Sequence, residues 1–479
     1  MDVFEKKEIA KKSVDFDRWY TDVILKAELA DYSPVKGCMV IRPYAYAIWE
    51  NIQREFNRMI KDAGVENAYF PIFIPHSFLQ KEKEHVEGFS PQLAIVTIGG
   101  GEKLVEPLVV RPTSETIMYS MYAKWINSWR DLPLLINQWN NVVRWEKRTY
   151  LFLRTTEFLW QEGHTVHETK KESVEFTLKA LDWYQSLYKD YLAIDPVIGL
   201  KSESEKFAGG VNTYSVELLM PDGLALQGAT SHFLGQNFSK VFNIVFQNRQ
   251  GKSEFVWQES WGLTTRSIGA LIMAHGDDQG LVLPPNIAPL QVVIVPITNE
   301  PDLLEFSNKV KDELAKKDIR VKVDLRSEKT PGWKFNDWEL KGVPIRIEVG
   351  KKEMESGELT IFRRDTKEKF PFMLSELNVL GDLLSEIQKN LFEKHRKFTA
   401  DNTFQTDDYT EFREIMKSKR GFLYAFWCGD PSCEANIKKE TKATTRVLSL
   451  SDKEENTQKG HCIYCGKPAS QRWYFAQAY

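Results

Sequence analysis

The sequence contains no uninterrupted apolar run of the roughly 18 residues that a membrane span requires. Positive charge is not in excess, because 64 Lys and Arg stand against 67 Asp and Glu, a formal net charge of −3. Any nucleic acid would therefore be held by local basic patches and not by a general positive surface. The first residues lack the apolar core of a signal peptide, and their acidic side chains disfavour a transit peptide. We expect a cytoplasmic protein without a membrane segment.

Cysteine is also scarce, with five in 479 residues and four of these near the end of the chain. This usage excludes a disulfide framework in a chain of this length. The four late cysteines have metal-knuckle spacing, as Cys428-x4-Cys433 and Cys462-x2-Cys465. Four thiolates suit tetrahedral zinc in a closed, structural site, and free or redox-active thiols are the alternative. His461 is either a substitute ligand or an exposed neighbour, and the isolated Cys38 is expected to be a packing residue.

The first part of the chain has the pattern of an α+β domain, without internal repeats or low-complexity tracts. Residues 43–64 repeat apolar positions at helical spacing and end at a glycine, which predicts a long helix. Residues 68–75 predict a strand whose two prolines place it at a sheet edge or interface. Further strands are predicted at 108–111, 141–145, 151–154, 223–227 and 255–259. Because helical stretches separate these strands, we expect an antiparallel sheet with helices packed on it.

A proline-rich stretch at residues 284–289 indicates a domain boundary. Beyond it, strands and helices alternate at lengths that predict a mixed α/β domain of roughly 100 residues. The strands are predicted at 290–297, 319–325, 343–349 and 359–363, and the helices at 301–318 and 374–397. A polar link near residue 400 leads to the cysteine-bearing tail.

The densest group of charged side chains lies between residues 144 and 164, where three arginines, three glutamates and a histidine occur. The pattern predicts a hairpin with strands at 144–146 and 152–154 and charges along one face. Arg144 and Arg154 on neighbouring strands would clamp an oxyanion, because a guanidinium is a planar, permanently charged fork. The alternative is a solvated edge hairpin with surface ion pairs.

Three shorter segments carry weaker signals. Residues 111–115, RPTSE, follow a strand and open a helix, which indicates either a helix cap or a substrate loop in which Glu115 receives a cationic amine. Residues 227–232 form a small, polar run that suits a ligand approaching the backbone. Arg266 lies in an otherwise small and apolar helix start, a costly position unless its charge meets an anion.

In their order along the chain these segments resemble the class II aminoacyl-tRNA synthetases, and within them the prolyl-tRNA synthetases of the archaeal and eukaryotic-like type. The helix and strand ending at residue 71 resemble motif 1, residues 144–154 resemble motif 2, and residues 262–266 resemble motif 3. Four features resemble the prolyl family: TSE at 113–115, FLWQEGHT at 158–165, GWKFNDWELKGVP at 332–344 and the four-cysteine tail. The resemblance covers nearly the whole chain.

The resemblance implies an α+β fold with three domains. These are a class II catalytic domain built on an antiparallel sheet at 1–285, a mixed α/β anticodon-binding domain at 286–397 and a small zinc-binding α+β domain at 398–479. It implies a ligase that activates L-proline with ATP and Mg²⁺, transfers it to tRNA(Pro), contains structural Zn²⁺ and forms a homodimer. Residues 155–261, between motifs 2 and 3, are too few for the inserted editing domain of the bacterial type.

The resemblance also assigns site residues. Catalysis would rest on positioning and charge stabilisation, without a protein nucleophile. The resemblance implies that the catalytic residues are Arg144, Glu146, Arg154 and Arg266, and that these four bind ATP together with Gln227 and Thr230. It implies that proline is surrounded by Thr113, Glu115, Arg144, Trp160, Glu162, His232 and Thr264. It implies that the anticodon is contacted by Arg346, Glu339, Lys352 and Glu353.

The chain departs from the family pattern at two places. Thr156 stands where the family usually has an arginine, so any role of that charge is lost. After Arg346 the family usually has glycine, proline, a basic residue and aspartate, whereas this chain has GKKE at 350–353. Glu353 keeps the acid on a longer side chain, so its contact with the anticodon is less secure than that of Arg346.

For two groups of aromatic side chains, a purely structural role is the alternative to a role at a ligand site. Trp160 and His164 either face a ligand or are a core aromatic and a hydrogen-bonded imidazole. The last seven residues, WYFAQAY, contain four aromatics and no charged side chain, so we expect the tail to be docked. The resemblance places the terminal Tyr479 near the active site, and simple packing of the tail is the alternative.

Three classes of protein remain open from the sequence. They are a synthetase, a synthetase-like regulator that binds tRNA without catalysis, and a zinc-containing nucleic-acid-binding protein with an unrelated α/β core. The presence of Arg144, Glu146, Arg154 and Arg266 favours the enzyme, because a degenerate paralogue would be expected to lose them.

Overall fold

The computed structural model describes residues 8–79, 93–450 and 459–479. An 11-stranded sheet forms its frame. Across this sheet the strands lie in the order Thr403–Gln405, Phe422–Phe426, Arg472–Ala476, Thr444–Ser449, Pro196–Leu200, Asn212–Leu219, Ala225–Gly235, Trp257–Thr264, Glu157–His167, Leu134–Val143 and Glu66–Asn67. In the described ranges, no helix has both the length and the apolar character needed to cross a bilayer.

The strands of the first part of the chain are mostly antiparallel, as predicted. They are β1 (Ala30–Tyr32), β2 (Met39–Ile41), β3 (Glu66–Asn67), β4 (Phe73–Pro75), β5 (Ala94–Gly99), β6 (Glu102–Val110), β7 (Leu134–Val143), β8 (Glu157–His167), β9 (Pro196–Leu200), β10 (Asn212–Leu219), β11 (Ala225–Gly235), β12 (Val245–Gln247), β13 (Ser253–Phe255) and β14 (Trp257–Thr264). The helices are α1 (Phe16–Lys26), α2 (Pro43–Lys61), α3 (Glu115–Trp125), α4 (Lys170–Ser186), α5 (Asn237–Phe242) and α6 (Arg266–His275), with a 3-10 turn at Trp129–Asp131 and a π-helical turn at Leu187–Tyr191.

Helices α2, α4 and α6 pack on one face of this sheet and form the main core with it. Helix α2 begins at Pro43, which is suited to the first helical turn, and its buried residues recur at helical spacing, as predicted for 43–64. Along β14 the side chains of Trp261 and Leu263 enter this core. Because successive strand residues point to opposite faces, Ser260, Gly262 and Thr264 face the other side, where a cleft lies. Gly163 admits the Trp261 indole, since a Cβ there would lie 2.0 Å from it.

The strand predicted at 151–154 is absent, and this prediction is wrong. Residues 151–153 form a turn in which Phe152 has a φ of 61°, a left-handed conformation incompatible with a regular strand. Leu151, Phe152 and Leu153 are buried in the main core, which holds the turn inward. The strand predicted at 68–75 is present only as β4, at an edge of the three-stranded sheet β4-β6-β5, so its edge position is confirmed.

The second part of the chain forms the predicted mixed α/β unit around a five-stranded sheet of order β16-β15-β17-β18-β19. Strand β15 pairs in parallel with β16 and β17, whereas β18 and β19 are antiparallel. The strands are β15 (Val292–Pro296), β16 (Val321–Val323), β17 (Ile345–Val349), β18 (Glu358–Arg363) and β19 (Lys369–Met373), and the helices are α7 (Pro301–Ala315), α8 (Pro331–Leu340), α9 (Lys351–Ser356) and α10 (Leu380–Asp401), the last preceded by a 3-10 turn at Leu374–Val379.

The C-terminal part extends the main sheet, because β22 pairs with β9 through Leu448 opposite Leu200. Its α+β composition is as predicted. Its strands are β20 (Thr403–Gln405), β21 (Phe422–Phe426), β22 (Thr444–Ser449), β23 (Gly460–His461), β24 (Pro468–Ala469) and β25 (Arg472–Ala476), and its helices are α11 (Tyr409–Ser418) and α12 (Pro431–Thr441).

A buried ion triad holds this junction together. Glu217 on β10 is fully buried and accepts hydrogen bonds from Arg446 on β22 at 2.6 and 2.9 Å. Lys201, just after β9, places its Nζ 2.9 Å from the same carboxylate. Burial alone would raise the pKa of Glu217, but Arg446 and Lys201 outweigh burial and lower that pKa to about 2. The carboxylate is therefore charged at all ordinary pH values.

Replacing Arg446 with methionine should lower the free energy of unfolding by about 3 kcal/mol, because it removes one of two cations that compensate a buried carboxylate. Urea unfolding followed by circular dichroism measures this change. The matched control is Arg396→Met, which removes an exposed ion pair with Glu393 and should cost less than about 1 kcal/mol. Equal losses for the two variants would contradict a special role for the triad.

Candidate active site

A cleft of about 380 Å³ opens on the sheet face opposite the main core. Its floor is made by β8, β11 and β14, and its sides come from the turn before α3, the loop between β7 and β8, and the start of α6. The structure brings together here every residue assigned from the sequence to ATP or proline. These lining residues are Thr113, Glu115, Arg144, Glu146, Arg154, Trp160, Glu162, Gln227, Thr230, His232, Thr264 and Arg266.

The loop between β7 and β8 carries the charge-rich segment, but the hairpin has a different register from the prediction. The paired strands are β7 and β8, running from Leu134 opposite Val166 to Val143 opposite Glu157. Residues 144–146 and 152–154 lie in the loop that joins them. The predicted charged strand face is therefore wrong, and so is the solvated edge hairpin, because residues 151–153 are buried.

One backbone pair closes this loop, and two side-chain hydrogen bonds fix it to helix α1. Tyr150 and Arg154 exchange backbone hydrogen bonds of 2.6 and 2.8 Å, which closes the turn. The Tyr20 hydroxyl of α1 donates to the Leu151 carbonyl at 2.8 Å, and the Tyr150 hydroxyl donates to Asp17 at 3.1 Å. The position of Arg154 at the cleft is thus set by packing and not by strand pairing.

Three arginines give one end of the cleft a positive potential. Arg144 Nε donates to the Pro112 carbonyl at 2.9 Å, and Arg266, the first residue of α6, donates from Nε to the Leu153 carbonyl at 3.1 Å. Burial lowers the pKa of Arg266, and the neighbouring charges of Arg144 and Arg154 lower it further. Among the described residues none of the three forms a salt bridge, so their combined charge is available to an anionic ligand.

The other end of the cleft is acidic and buried. Glu162 on β8 is 2% exposed. Its Oε1 accepts from Asn140 at 2.7 Å, from Gln138 at 3.1 Å and from the Ser114 hydroxyl, and its Oε2 lies 3.0 Å from His164 Nε2. Burial would raise the pKa of Glu162, but these partners, His164 first among them, hold it below its ordinary value. This carboxylate is therefore ionised and suited to a cationic amine.

The turn at residues 111–115 combines its two predicted roles. Ser114 occupies the cap position of α3, but its hydroxyl accepts no hydrogen bond from the helix backbone and donates to Glu162. Glu115, the first residue of α3, is 4% exposed and accepts from the Thr113 hydroxyl. Arg111 is buried and donates to carbonyls of Phe70 and Asn141 at 2.7 and 2.8 Å, which is a structural role. The turn thus contributes both a helix start and a second carboxylate at the cleft.

An apolar wall lies between the two charged ends. Trp160 is 9% exposed and lines the cleft, with the Arg144 guanidinium 5.3 Å from its ring centre. Burial lowers the pKa of His232 to about 3, so this imidazole is neutral at physiological pH. His164 makes hydrogen-bond contacts with Tyr119 at 3.1 Å and with Glu162. It is therefore the hydrogen-bonded imidazole that the structural alternative for this residue expected, and it also lines the cleft.

Sequence reasoning missed several lining or supporting residues. Gln138 and Asn140 alternate on β7 and both donate to Glu162, and their period of two was a usable signal. Ser260 and Phe207 line the cleft without any motif that would have marked them. Thr156, where the family usually has an arginine, is buried and donates its backbone N–H to Gly37 at 2.8 Å.

The predicted anticodon residues fall into two groups. Arg346 on β17 lies between the rings of Phe335 and Phe362, 4.2 and 4.3 Å from their centres. It is 3% exposed and pairs with Glu339 at 2.6 Å and Glu348 at 2.8 Å, so its charge is buried and compensated and is not an exposed charge on the strand. Glu353 caps its own helix through the Gly350 N–H at 3.0 Å, and Lys352 is exposed beside it.

The four late cysteines converge, as their spacing predicts. Their Sγ atoms all lie within 4.8 Å of one another, and Cys428 Sγ is 3.8 Å from both Cys433 and Cys465. A tetrahedral ion with bonds of about 2.3 Å to sulfur requires sulfur pairs about 3.8 Å apart, so the set fits a metal ion. His461 is exposed and outside the cluster, and Cys38 is half-buried elsewhere.

The C-terminal tail is docked, as predicted. The Ala225 N–H donates to the Gln477 carbonyl at 2.8 Å, and the Tyr479 N–H donates to the Ala225 carbonyl at 3.2 Å. The Tyr479 hydroxyl donates to Asp222 at 2.8 Å, and the ring packs against the main core. Ala225 begins the strand that carries Gln227 into the cleft. The packing role is therefore seen, and a catalytic role for Tyr479 stays a prediction.

Comparison with known proteins gives matches to three family models. They are "tRNA synthetase class II core domain (G, H, P, S and T)" at 101–275, "Anticodon binding domain" at 291–386 and "Prolyl-tRNA synthetase, C-terminal" at 409–479.

Proteins that are similar over nearly the whole chain are named as proline–tRNA ligases or prolyl-tRNA synthetases. The "Proline--tRNA ligase" of Natranaerobius thermophilus is 52% identical over 479 residues, covering 99% of this chain and 98% of that protein. The "Proline--tRNA ligase 2" of Clostridioides difficile is also 52% identical, with 99% and 98% covered. Among solved structures, a prolyl-tRNA synthetase from Cryptosporidium parvum, complexed with halofuginone and AMPPNP, matches with a TM-score of 0.94 and 45% identity, over 99% of this chain and 100% of that one.

Proposed function

The chain belongs to the prolyl-tRNA synthetases, and from that premise we propose that it activates L-proline with ATP and transfers the prolyl group to tRNA(Pro). The observation that carries this proposal is the cleft itself, which has three arginines at one end, ionised Glu162 at the other and an apolar wall between them. A zinc protein with an unrelated core is excluded by the family. A regulator without catalysis is disfavoured, because Arg144, Glu146, Arg154 and Arg266 all line the cleft.

The positive end suits ATP. Arg144, Arg154 and Arg266 would hold its phosphates, and Gln227 and Thr230, on a strand of the cleft floor, would contact the rest of the nucleotide. Mg²⁺ bound with ATP would neutralise phosphate charge, and Glu146, on the exposed loop, is an available carboxylate there. Because these groups are already held by carbonyl contacts or by packing, little reorganisation would be needed on binding.

The acidic and apolar end suits proline. The ring would lie against Trp160, and Glu162 and Glu115 would attract its secondary ammonium group. Thr113, Thr264 and neutral His232 would complete the wall around it. Arg144, at the positive end, also lies over the Trp160 ring, where it would contact both the proline carboxylate and the α-phosphate. A proline carboxylate oxygen would then attack the α-phosphorus, and pyrophosphate would leave.

Arg144→Ala should abolish proline-dependent exchange of pyrophosphate into ATP, because this arginine contacts both substrates. We expect a loss of at least about 100-fold, the usual effect of removing a group that stabilises developing charge. Arg148→Ala, in the exposed part of the same loop, is the matched control and should retain activity. Exchange by the unaltered protein that does not depend on proline would refute the assignment.

We infer that the α/β unit reads the anticodon through Glu339 and Arg346. The buried guanidinium orients the Glu339 carboxylate, whose side chain is 22% exposed. Glutamate can accept from a base amino group, and arginine can donate to guanine. Lys352 and Glu353 lie at the start of α9 and would make supporting contacts, although Glu353 is already engaged as a cap.

Arg346→Ala and Glu339→Gln should each reduce tRNA charging about tenfold or more while leaving pyrophosphate exchange nearly unchanged. Glu305→Gln, which removes an exposed ion pair with Lys309 in the same unit, serves as the control. Parallel loss of charging and exchange in Arg346→Ala, with Glu339→Gln fully active, would indicate misfolding and not recognition.

The cysteine cluster would hold structural Zn²⁺, because four thiolates at tetrahedral separations leave no open position for water. We predict about one zinc per chain by elemental analysis. Cys465→Ser should lose the metal and perturb the fluorescence of Trp427 and Trp473, whose rings lie 5.0 Å apart near the cluster. Cys38→Ser should keep both. Freshly purified protein without zinc would contradict the assignment.

Three further features complete the proposal. The catalytic, anticodon-binding and zinc-binding domains would span 1–285, 286–397 and 398–479, each enclosing the family match within it. We propose a cytoplasmic homodimer. Exposed apolar side chains support the dimer, namely Tyr32 on β1, Val35 in the turn between β1 and β2, Val40 on β2 and Tyr46 on α2. Tyr479, docked beside the start of β11, would support the nucleotide end of the cleft.

A further inference from the structure

Residues 202–210 form a segment of the cleft wall that belongs to none of the sequence motifs. Glu205, Lys206 and Phe207 line the cleft. The Phe207 ring lies 4.6 Å from the His232 ring. The Phe207 N–H donates to Thr213 Oγ1 at 2.8 Å, and the same oxygen lies 3.0 Å from His232 Nδ1. A displacement of this segment would therefore move Phe207 and change the packing on His232 at the proline end.

The first residue of this segment is tied to the C-terminal part of the chain. Ser202 Oγ donates to Glu434 Oε1 at 3.0 Å, and both residues are buried. Thr445 on β22 donates to the same carboxylate oxygen and lies 3.0 Å from Ser202 Oγ. A carboxylate that accepts hydroxyl donors in a buried site fixes its partners strongly, since hydrogen bonds to charged groups are the stronger class.

The helix that carries Glu434 makes a second contact with the same segment. Lys438 lies one turn further along α12, and its Nζ is 3.5 Å from Glu205. This pair is largely exposed, so it contributes less than the buried one. Glu434 also directly follows Cys433 in α12, and Cys433 belongs to the cysteine cluster. The cluster, the helix and the cleft wall are thus connected through neighbouring residues.

We propose that Glu434 is a positioning residue for proline recognition, holding residues 202–210 through Ser202 so that Phe207 packs on His232. This inference rests on the proposed function of the cleft. It gives the C-terminal unit a direct role in amino-acid binding, in addition to any structural role of its metal site. ATP binding is not expected to depend on this link, because the arginine cluster is held by other contacts.

The test variant is Ser202→Ala, which removes one hydroxyl and barely changes volume. The matched control is Thr445→Val, which removes the other hydroxyl donor to Glu434 but leaves the bond from Ser202 to Glu434. Proline and ATP Michaelis constants are measured by pyrophosphate exchange, and proline affinity by calorimetry without turnover. Zinc content and melting temperature report on the fold.

Ser202→Ala should raise the KM and Kd for proline by about 5- to 10-fold and change the KM for ATP by less than about 2-fold. Thr445→Val should leave proline binding within about 2-fold of the unaltered protein. An unchanged proline affinity in Ser202→Ala overturns the inference, as does an equal rise in both Michaelis constants or an equal effect of the control. If the unaltered protein shows no proline-dependent exchange, the proposed function fails first.

Discussion

The cleft depends on keeping a carboxylate charged inside a sheet. Glu162 is 2% exposed, and burial alone would favour its neutral form. Glu162 stays charged because Gln138 and Asn140 donate hydrogen bonds to it from β7, and Ser114 donates one from the turn before α3. His164 lies beside it on β8. Such a group adds to stability above its unfolded pKa of about 4.3, and this contribution is lost as the pH falls through the lower folded value. The charge of this cleft carboxylate and the integrity of β7, β8 and α3 are therefore linked.

The positive end of the cleft is built in a different way. Arg144 and Arg266 donate to backbone carbonyls, and Arg154 follows a turn that is buried in the core. Carbonyls orient a guanidinium without neutralising it, so the cluster keeps its mutual repulsion until an anion arrives. Pairing these arginines with carboxylates would have stabilised the empty cleft and weakened its attraction for an anion. The two ends thus show different solutions, since Glu162 is supported by hydrogen-bond donors, whereas the three arginines form no salt bridge among the described residues.

Local patterns predicted the regular elements well. The 3.6-residue periodicity of 43–64 and the alternating strands and helices after residue 290 are set mainly by neighbours in sequence, and both are present in the structure. The loop after β7 was mispredicted because YLFL is a short apolar run of the kind found in buried strands. In the structure Phe152 takes a φ of 61°, and residues 151–153 pack into the core as a turn. The burial of Arg346 had no local signal, since its two phenylalanine neighbours come from α8 and β18. The cleft residues found from sequence were those in motifs; Phe207 and Ser260 came only with the fold.

The cysteine-bearing unit is a continuation of the catalytic sheet and not an appendage. Where β22 meets β9, Lys201 and Ser202 lead into two separate buried networks, one around Glu217 and one around Glu434. Their partners on β22 are the adjacent residues Arg446 and Thr445. Adjacent strand residues ordinarily face opposite sides, and here β22 also has an irregularity between Thr445 and Val447, which redirects Arg446 toward Glu217. Because both networks cross the same junction, a shift of the C-terminal unit relative to the sheet would separate a buried carboxylate from its partners. The cysteine cluster is connected to this junction through Glu434, which directly follows Cys433.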